Sequence, residues 1–219
     1  PRATANGWLT PREVKQAILA TIVIAALATL PVMLRFGWPI VLIGAFSTLA
    51  AWSYMGGPRP IAYTPFGELA VFVFFGPVAV CGTYFLQTGQ IGAPAWIAGA
   101  AIGALATAVL LVNNYRDRAY DVTTGRRTLA VVIGAAASVR LYATLELAPF
   151  ALAALLAWVT RSAWLALPLL ALPWALRLVR DFSRVSAGPA QNALLVRAVM
   201  LEVGFGMLLC AGALLQGWR

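Results

Sequence analysis

A polar segment in the middle of the chain combines residue types that bind metal ions with residue types that bind phosphate. Between residues 113 and 129 the sequence reads NNYRDRAYDVTTGRRTL, with two aspartates, two asparagines and four arginines. The stretches on either side are almost free of charge. Acids that suit a hard cation, next to guanidinium groups that suit phosphate, predict a metal-bound phosphate as the ligand.

Asn113, Asp117 and Asp121 are spaced at i, i+4 and i+8. On an α-helix this spacing places the three side chains along one face, over roughly 12 Å. Mg²⁺ prefers oxygen ligands and is typically held by one or two carboxylates together with water and substrate phosphate oxygens. We call these three residues the Asp ladder, and we predict that it holds Mg²⁺.

The basic residues of the same segment are suited to the phosphate itself, because a guanidinium group binds phosphate through two parallel hydrogen bonds. Gly125 allows the chain to turn, and Thr128 adds a hydroxyl group where backbone N–H donors are also available. A solvated loop at the membrane surface is the alternative, and it would explain the arginines but not the spaced carboxylates. The four arginines are Arg116, Arg118, Arg126 and Arg127.

Composition identifies an all-α, polytopic helical membrane protein. Hydrophobic residues make up 62% of the 219 residues and charged residues only 11%. The net charge of +9 does not indicate nucleic-acid binding, because the arginines lie at the ends of apolar runs and form no extended basic face. The chain has no histidine, which excludes Ser-His-Asp and Cys-His catalysis and any histidine metal site.

Charge-free runs bounded by arginine, glycine and proline predict seven transmembrane helices. The predicted spans are 13–34, 38–55, 66–86, 95–115, 139–159, 162–179 and 192–216. Thr10 and Pro11 are a typical start for the first span, as an N-cap followed by proline at the first helical position. The Asp ladder then lies where the fourth span leaves the membrane.

The basic residues also predict the orientation of the spans. Cytoplasmic loops of membrane proteins carry an excess of Lys and Arg. Of the 16 basic residues, all but Arg35, Arg161 and Arg219 fall on the side that carries the N-terminal segment and the ladder. We therefore expect the ladder to face the cytoplasm.

Two further groups of polar residues lie in or beside predicted spans. The segment YTPFGE, residues 63–68, is on the same side as the ladder, and Tyr63 and Glu68 could position an aromatic acceptor. Alternatively, the segment only starts a helix, with Glu68 in its first turn. Glu146 and Glu202 fall within predicted spans, where we expect pairing with Arg140 or Arg197.

Taken together, these motifs resemble the UbiA superfamily of membrane prenyltransferases. Residues 113–131, with the pattern Asn-Asn-x-Arg-Asp-x-x-x-Asp-x-x-x-Gly-x-Arg-Thr-Leu-Ala-Val, are similar to the second Asp-rich motif of that family. Residues 63–69, 74–76 and 82–84 are similar to its segment after the fourth helix. More narrowly, the chain resembles the branch that prenylates 1,4-dihydroxy-2-naphthoate in menaquinone biosynthesis.

The resemblance has two departures. Arg126 stands where the family's Gly-Lys-Arg-Thr pattern has lysine, which keeps the charge but changes the donor geometry. The family also has nine helices and a first Asp-rich motif, Asn-Asp-x-x-Asp-x-x-x-Asp, at the end of the second. We expect residues 1–219 to form a single prenyltransferase domain that lacks those two helices and that motif, and to be inactive alone.

The resemblance implies a Mg²⁺-dependent enzyme of the bacterial inner membrane, with its active site on the cytoplasmic side and polyprenyl diphosphate as prenyl donor. It implies that the ladder binds the metal and that Arg127, Asp117 and Asp121 are the catalytic residues. It also implies that further residues bind the substrates. Another aromatic acceptor, such as 4-hydroxybenzoate or homogentisate, and a non-enzymatic transporter or lipid-binding protein are the alternatives. The further substrate-binding residues are Asn113, Asn114, Arg116, Arg126, Thr128, Tyr63 and Glu68.

Overall fold

The computed structural model describes residue 4, residues 6–185, residue 188 and residues 190–217. Within these residues the chain forms helices and turns and no strand, which confirms the predicted all-α class. A short 3₁₀ turn at Ile61–Tyr63 precedes the third of the main helices. The main helices are α1 (Pro11–Phe36), α2 (Trp38–Met55), α3 (Gly67–Thr88), α4 (Ala93–Thr123), α5 (Leu129–Thr160), α6 (Ala163–Arg184) and α7 (Gln191–Gly217).

These seven helices match the seven predicted spans. All except α2 are long and apolar enough to cross a membrane, and the apolar part of α2, Ile40–Met55, is shorter. Large apolar side chains on the helices are exposed in the protein alone, as a lipid-facing surface requires. The chain is therefore a polytopic helical membrane protein.

The chain divides into two compact units, residues 1–49 and 50–219. In the first unit, α1 begins as predicted, with Thr10 as its N-cap and Pro11 at its first position. The Thr10 hydroxyl accepts the Glu13 N–H at 3.2 Å, and the Glu13 carboxylate accepts the Thr10 N–H at 2.7 Å. This reciprocal capping box satisfies backbone donors that the first turn leaves unpaired.

In the second unit α4 is the central helix, and it packs against α3, α5 and α7. Glycines permit the closest of these approaches. A Cβ atom added to Gly76 of α3 would lie 2.7 Å from the Gly103 Cα atom of α4, and one added to Gly103 would lie 2.6 Å from the Phe72 carbonyl oxygen. Helices with small residues at their interface can bring their backbones together in this way.

An aromatic layer fixes the C-terminal half of α4 against its neighbours. The Phe182 ring of α6 stacks on the Tyr142 ring of α5 at 4.1 Å and lies 4.9 Å from the Tyr115 ring of α4. Tyr142 and Phe182 are fully buried. Because Tyr115 lies between Asn114 and Arg116 in the sequence, this layer also positions the polar segment.

The helices depart from the prediction mainly in their length. The fourth helix does not end near residue 115 but continues to Thr123, and α5 begins at Leu129, ten residues before the predicted start. Gly134, at φ 75°, bends α5 near its beginning. Hydropathy detects the apolar part of a helix only, so it does not show that the same helix continues into a polar segment.

Candidate functional site

The Asp ladder lies on one continuous helix, as its spacing predicts. Asn113, Asp117 and Asp121 all belong to α4, which ends two residues after Asp121. Asp121 is buried, with only 3% of its surface exposed, whereas the Asp117 side chain is 41% exposed. Gly125, at φ 73°, then turns the chain toward α5, in the left-handed region that favours glycine. The ladder thus passes from an exposed carboxylate to an enclosed one.

Arg116 binds three polar side chains around the ladder. Its Nε and Nη2 atoms donate to the two carboxylate oxygens of Asp117, at 2.7 and 2.8 Å. Nη2 also donates to the Asn113 side-chain oxygen at 2.7 Å, and Nη1 donates to the Asn192 oxygen at 2.9 Å. Arg116 therefore joins the ladder to the beginning of α7.

The turn between α4 and α5 closes over Asp121. The Thr128 hydroxyl donates to one carboxylate oxygen at 3.4 Å, and the Arg126 guanidinium lies 3.5 Å from the other. The Arg126 N–H also donates to the Asp121 carbonyl oxygen at 2.9 Å. Thr128 is buried and directly precedes α5, so the first N–H groups of that helix begin beside Asp121.

The structure places Tyr63 directly against this turn. The Arg127 N–H donates to the Tyr63 carbonyl oxygen at 3.0 Å, and the Arg126 guanidinium lies 4.2 Å from the centre of the Tyr63 ring. The second contact is a cation–π interaction. Two segments separated by about sixty residues are thereby joined, and the Arg127 side chain is left exposed.

Glu68 joins α3 to the ladder helix. Its Oε1 atom accepts a hydrogen bond from the Asn114 amide at 2.9 Å, and its backbone oxygen accepts one from the Thr107 hydroxyl at 3.5 Å. Only 2% of Glu68 is exposed, and its Oε2 atom is buried without a hydrogen-bond partner among the described residues. Glu68 also lies in the first turn of α3, so both interpretations of this segment agree with the geometry.

A cavity of about 410 Å³ lies beside the ladder within the second unit. Asn113 and Glu202 are its polar lining residues. The other walls are apolar and come from α3, α4 and α7, including Phe75, Leu110 and Val199. This cavity suits a long apolar group whose polar end reaches Asn113.

Sequence reasoning missed Asn192 and paired Arg197 wrongly. Arg197 Nη1 lies 2.7 Å from Asp181 Oδ2 and so pairs with α6, not with Glu202 as predicted. Glu146 is 1% exposed, and in the described part of the chain its Oε1 atom has no hydrogen-bond partner. Glu146 lies twelve residues beyond the Gly134 bend, about 18 Å along the helix. The signal available for Asn192 was its place at the start of a span that begins on the ladder side.

The chemistry of the ladder fits Mg²⁺ shared with a phosphate. Its donors are two carboxylates and one amide oxygen, all hard oxygen ligands. Throughout the part of the chain that the structure describes, no three His, Cys, Asp or Glu residues come together as a preformed cage. Mg²⁺ commonly keeps its waters and takes only one or two protein carboxylates with substrate phosphates, which matches this set.

Comparison with known proteins agrees with this arrangement. The model of the UbiA prenyltransferase family matches residues 1–196, which is most of the chain. The chain belongs to the UbiA prenyltransferase family. Its relatives include the 1,4-dihydroxy-2-naphthoate octaprenyltransferases of Mycobacterium tuberculosis, 38% identical, and of Escherichia coli, 31% identical. Each alignment covers 99% of this chain and 73% of the relative.

The UbiA match includes the whole of the site described above. The ladder, Tyr63, Glu68 and the turn at 124–128 all lie within residues 1–196, and so does Asn192. A third relative, the 1,4-dihydroxy-2-naphthoate octaprenyltransferase of Bacillus subtilis, is 32% identical over 99% of this chain and 70% of its own length. The similarity to UbiA proteins is therefore not confined to the polar segment.

Proposed function

We propose that this UbiA-family chain is a Mg²⁺-dependent aromatic prenyltransferase. It transfers a polyprenyl group from polyprenyl diphosphate to 1,4-dihydroxy-2-naphthoate and releases the carboxylate of the acceptor as CO₂, giving a demethylmenaquinol. The observation that carries the proposal is the convergence, on one end of α4, of the Asp ladder with the Arg126–Thr128 turn and Glu68. The names of the relatives support this choice of acceptor.

The ladder and the neighbouring turn bind the diphosphate end of the donor. Asp117 and Asp121, with Asn113, would hold Mg²⁺, which would neutralise the charge of the diphosphate and make it a better leaving group. Arg126 and Arg127 take up the negative charge that develops on the bridging oxygen as the C1–O bond breaks. Arg127 is placed for this role by its backbone bond to Tyr63, which leaves its guanidinium exposed.

The cavity beside Asn113 accommodates the first part of the prenyl chain. Its walls are apolar, and a prenyl chain lying against them shields the allylic cation formed at C1 from water, which would otherwise capture it. The ring carbon of the acceptor attacks that cation, a C–C bond forms, and the electron pair of the bond to the carboxylate returns to the ring as CO₂ leaves. No separate base is required, because CO₂ leaves in place of a ring proton.

Tyr63 and Glu68 position the acceptor. Asn114 holds one Glu68 oxygen at 2.9 Å and so orients the carboxylate, while the buried Oε2 atom is available to accept a hydrogen bond from an acceptor hydroxyl. Tyr63 contributes an aromatic face beside the Arg126 guanidinium. The site therefore offers the diphosphate and the naphthoate different sets of residues.

We place the reaction on the cytoplasmic face of a bacterial inner membrane. The loops that carry most of the basic residues meet at one end of the second unit, through the contacts of Arg127 with Tyr63 and of Arg116 with Asn192. A basic end of this kind is retained in the cytoplasm.

Because residues 1–219 are expected to be inactive alone, the test is to incubate the purified full-length protein with Mg²⁺, labelled polyprenyl diphosphate and, separately, 1,4-dihydroxy-2-naphthoate, 4-hydroxybenzoate and homogentisate. We expect a prenylated product and CO₂ from the naphthoate only. Product from another acid would reassign the acceptor. Binding of the diphosphate without any product would favour a lipid-binding or transport role instead.

A further inference from the structure

Arg116 occupies the groups that the metal needs. It bonds both carboxylate oxygens of Asp117, together with the side-chain oxygen of Asn113 and that of Asn192. A guanidinium group has five N–H donors, so four of them are used by side chains of the protein. In this arrangement Arg116 can offer a phosphate only one donor, and a cation that uses the remaining lone pairs of Asp117 lies next to the positively charged guanidinium.

The same arrangement makes the two ligands dependent on each other. A cation that binds Asp117 is repelled by the Arg116 guanidinium, and this repulsion weakens the two-pronged pair and favours release of the guanidinium. The guanidinium released in this way regains the paired donors that suit a phosphate. The Arg116 and Asp117 side chains are 23% and 41% exposed, so the exchange takes place at a surface that water reaches.

Asn192 determines where the released guanidinium stays. It is a neutral partner on a different helix, so a cation at Asp117 does not compete for its bond to Arg116. Its neighbour Gln191 is fully buried, and the Gln191 Nε2 atom donates to the Val185 carbonyl oxygen at 3.0 Å. This buried contact fixes the beginning of α7 and, with it, the position from which Asn192 holds Arg116.

We propose that Arg116 is an exchangeable counter-ion of the Asp ladder, which leaves Asp117 for the diphosphate as Mg²⁺ binds, and that Asn192 is its positioning residue. Each ligand then increases the affinity of the site for the other, by the same factor in both directions. This inference rests on the proposed function and adds cooperative binding to it. The metal and the diphosphate bind together, and the site binds either of them weakly when the other is absent.

The test is a binding measurement that needs no turnover. Mn²⁺ shares the oxygen preference of Mg²⁺ and is detected by electron paramagnetic resonance. Its affinity is measured for the purified protein in lipid nanodiscs, with and without a non-hydrolysable prenyl thiolodiphosphate. In the unaltered protein we expect the analogue to tighten Mn²⁺ binding by about tenfold or more, within the usual range of coupling between sites.

The variants separate Arg116 from a general effect of charge. In Arg116→Met, Mn²⁺ alone should bind more tightly and the gain from the analogue should fall by about threefold or more, because the competing cation is gone while the phosphate oxygens still bind the metal directly. Arg118 is one of the four arginines that the sequence suggests for phosphate, and its guanidinium lies 5.7 Å from the centre of the Tyr115 ring, with no hydrogen bond to the ladder among the described residues. Arg118→Met removes the same charge from the same helix, so this variant should keep the full gain. Asn192→Ala should reduce the gain without abolishing it.

Two results would overturn the inference alone: an undiminished gain in Arg116→Met, or an equal loss of gain in Arg118→Met. Failure of the unaltered protein to bind the analogue at any Mn²⁺ concentration would overturn the proposed function as well. The two failures are therefore distinguishable.

Discussion

The contact between α3 and α4 gives a prediction whose size can be worked out from the structure. A Cβ atom at Gly103 would lie 2.6 Å from the Phe72 carbonyl oxygen and 3.0 Å from the Gly76 Cα atom, both backbone atoms that cannot rotate away. Overpacking of this kind typically costs about 1–3 kcal/mol, and we expect Gly103→Ala to lie in the upper half of that range. Gly82→Ala is the control, because a Cβ atom there meets nothing within 4 Å.

The control also removes a competing effect. Alanine favours a helix over glycine by about 1 kcal/mol, and that gain is common to both variants. The difference in unfolding free energy between them, measured by titration with denaturing detergent and circular dichroism, should therefore be about 2–3 kcal/mol. A displaced α3 also draws Glu68 away from Asn114, so the KM for the acceptor should rise in Gly103→Ala only. Equal stability of the two variants would refute the close packing of α3 on α4.

Three further predictions concern the site and the topology. Asp121→Asn should lower turnover at least about a hundredfold, because loss of even an outer-shell partner of a metal ligand lowers metal affinity or activity roughly 10- to 100-fold. A near-normal rate at saturating Mg²⁺ would exclude Asp121 as a ligand. Arg127→Ala should raise the KM for the prenyl diphosphate and Glu68→Gln that for the naphthoate, and equal effects on both substrates would show that the two roles are misassigned. Cysteines introduced at Thr123 and Gln90 should react with impermeant reagents from opposite sides of the membrane, so labelling from one side would contradict the span assignment.

The number of helices and the face of the ladder could be predicted because both depend on local sequence. Charge-free runs bounded by glycine, proline and arginine indicate where helices cross a membrane, and a four-residue spacing keeps side chains on one face of a helix. Gly125 was expected to turn the chain, and its φ of 73° confirms this. These inferences do not depend on knowing which helices are in contact.

The partners of the polar side chains could not be predicted in the same way. Arg116 is a predicted phosphate ligand, and no local pattern shows that it also bonds the adjacent Asp117 and reaches Asn192, which is 76 residues away in the chain. Arg197 pairs with Asp181 of α6, not with Glu202 of its own helix. Long guanidinium side chains reach several acceptors at once, and packing between helices, which no local pattern records, decides which of them is bound.

The central claim is that the Asp ladder holds Mg²⁺ for the departure of the diphosphate, and Asp117 tests it most directly. The measurement is Mg²⁺-dependent release of diphosphate from polyprenyl diphosphate in the presence of 1,4-dihydroxy-2-naphthoate. Asp117→Asn is compared with Asp181→Asn, which alters a carboxylate that pairs with Arg197 outside the ladder. The account predicts a loss of at least about a hundredfold for Asp117→Asn and nearly full activity for Asp181→Asn. Equal activity of the two variants, at every Mg²⁺ concentration, would contradict it.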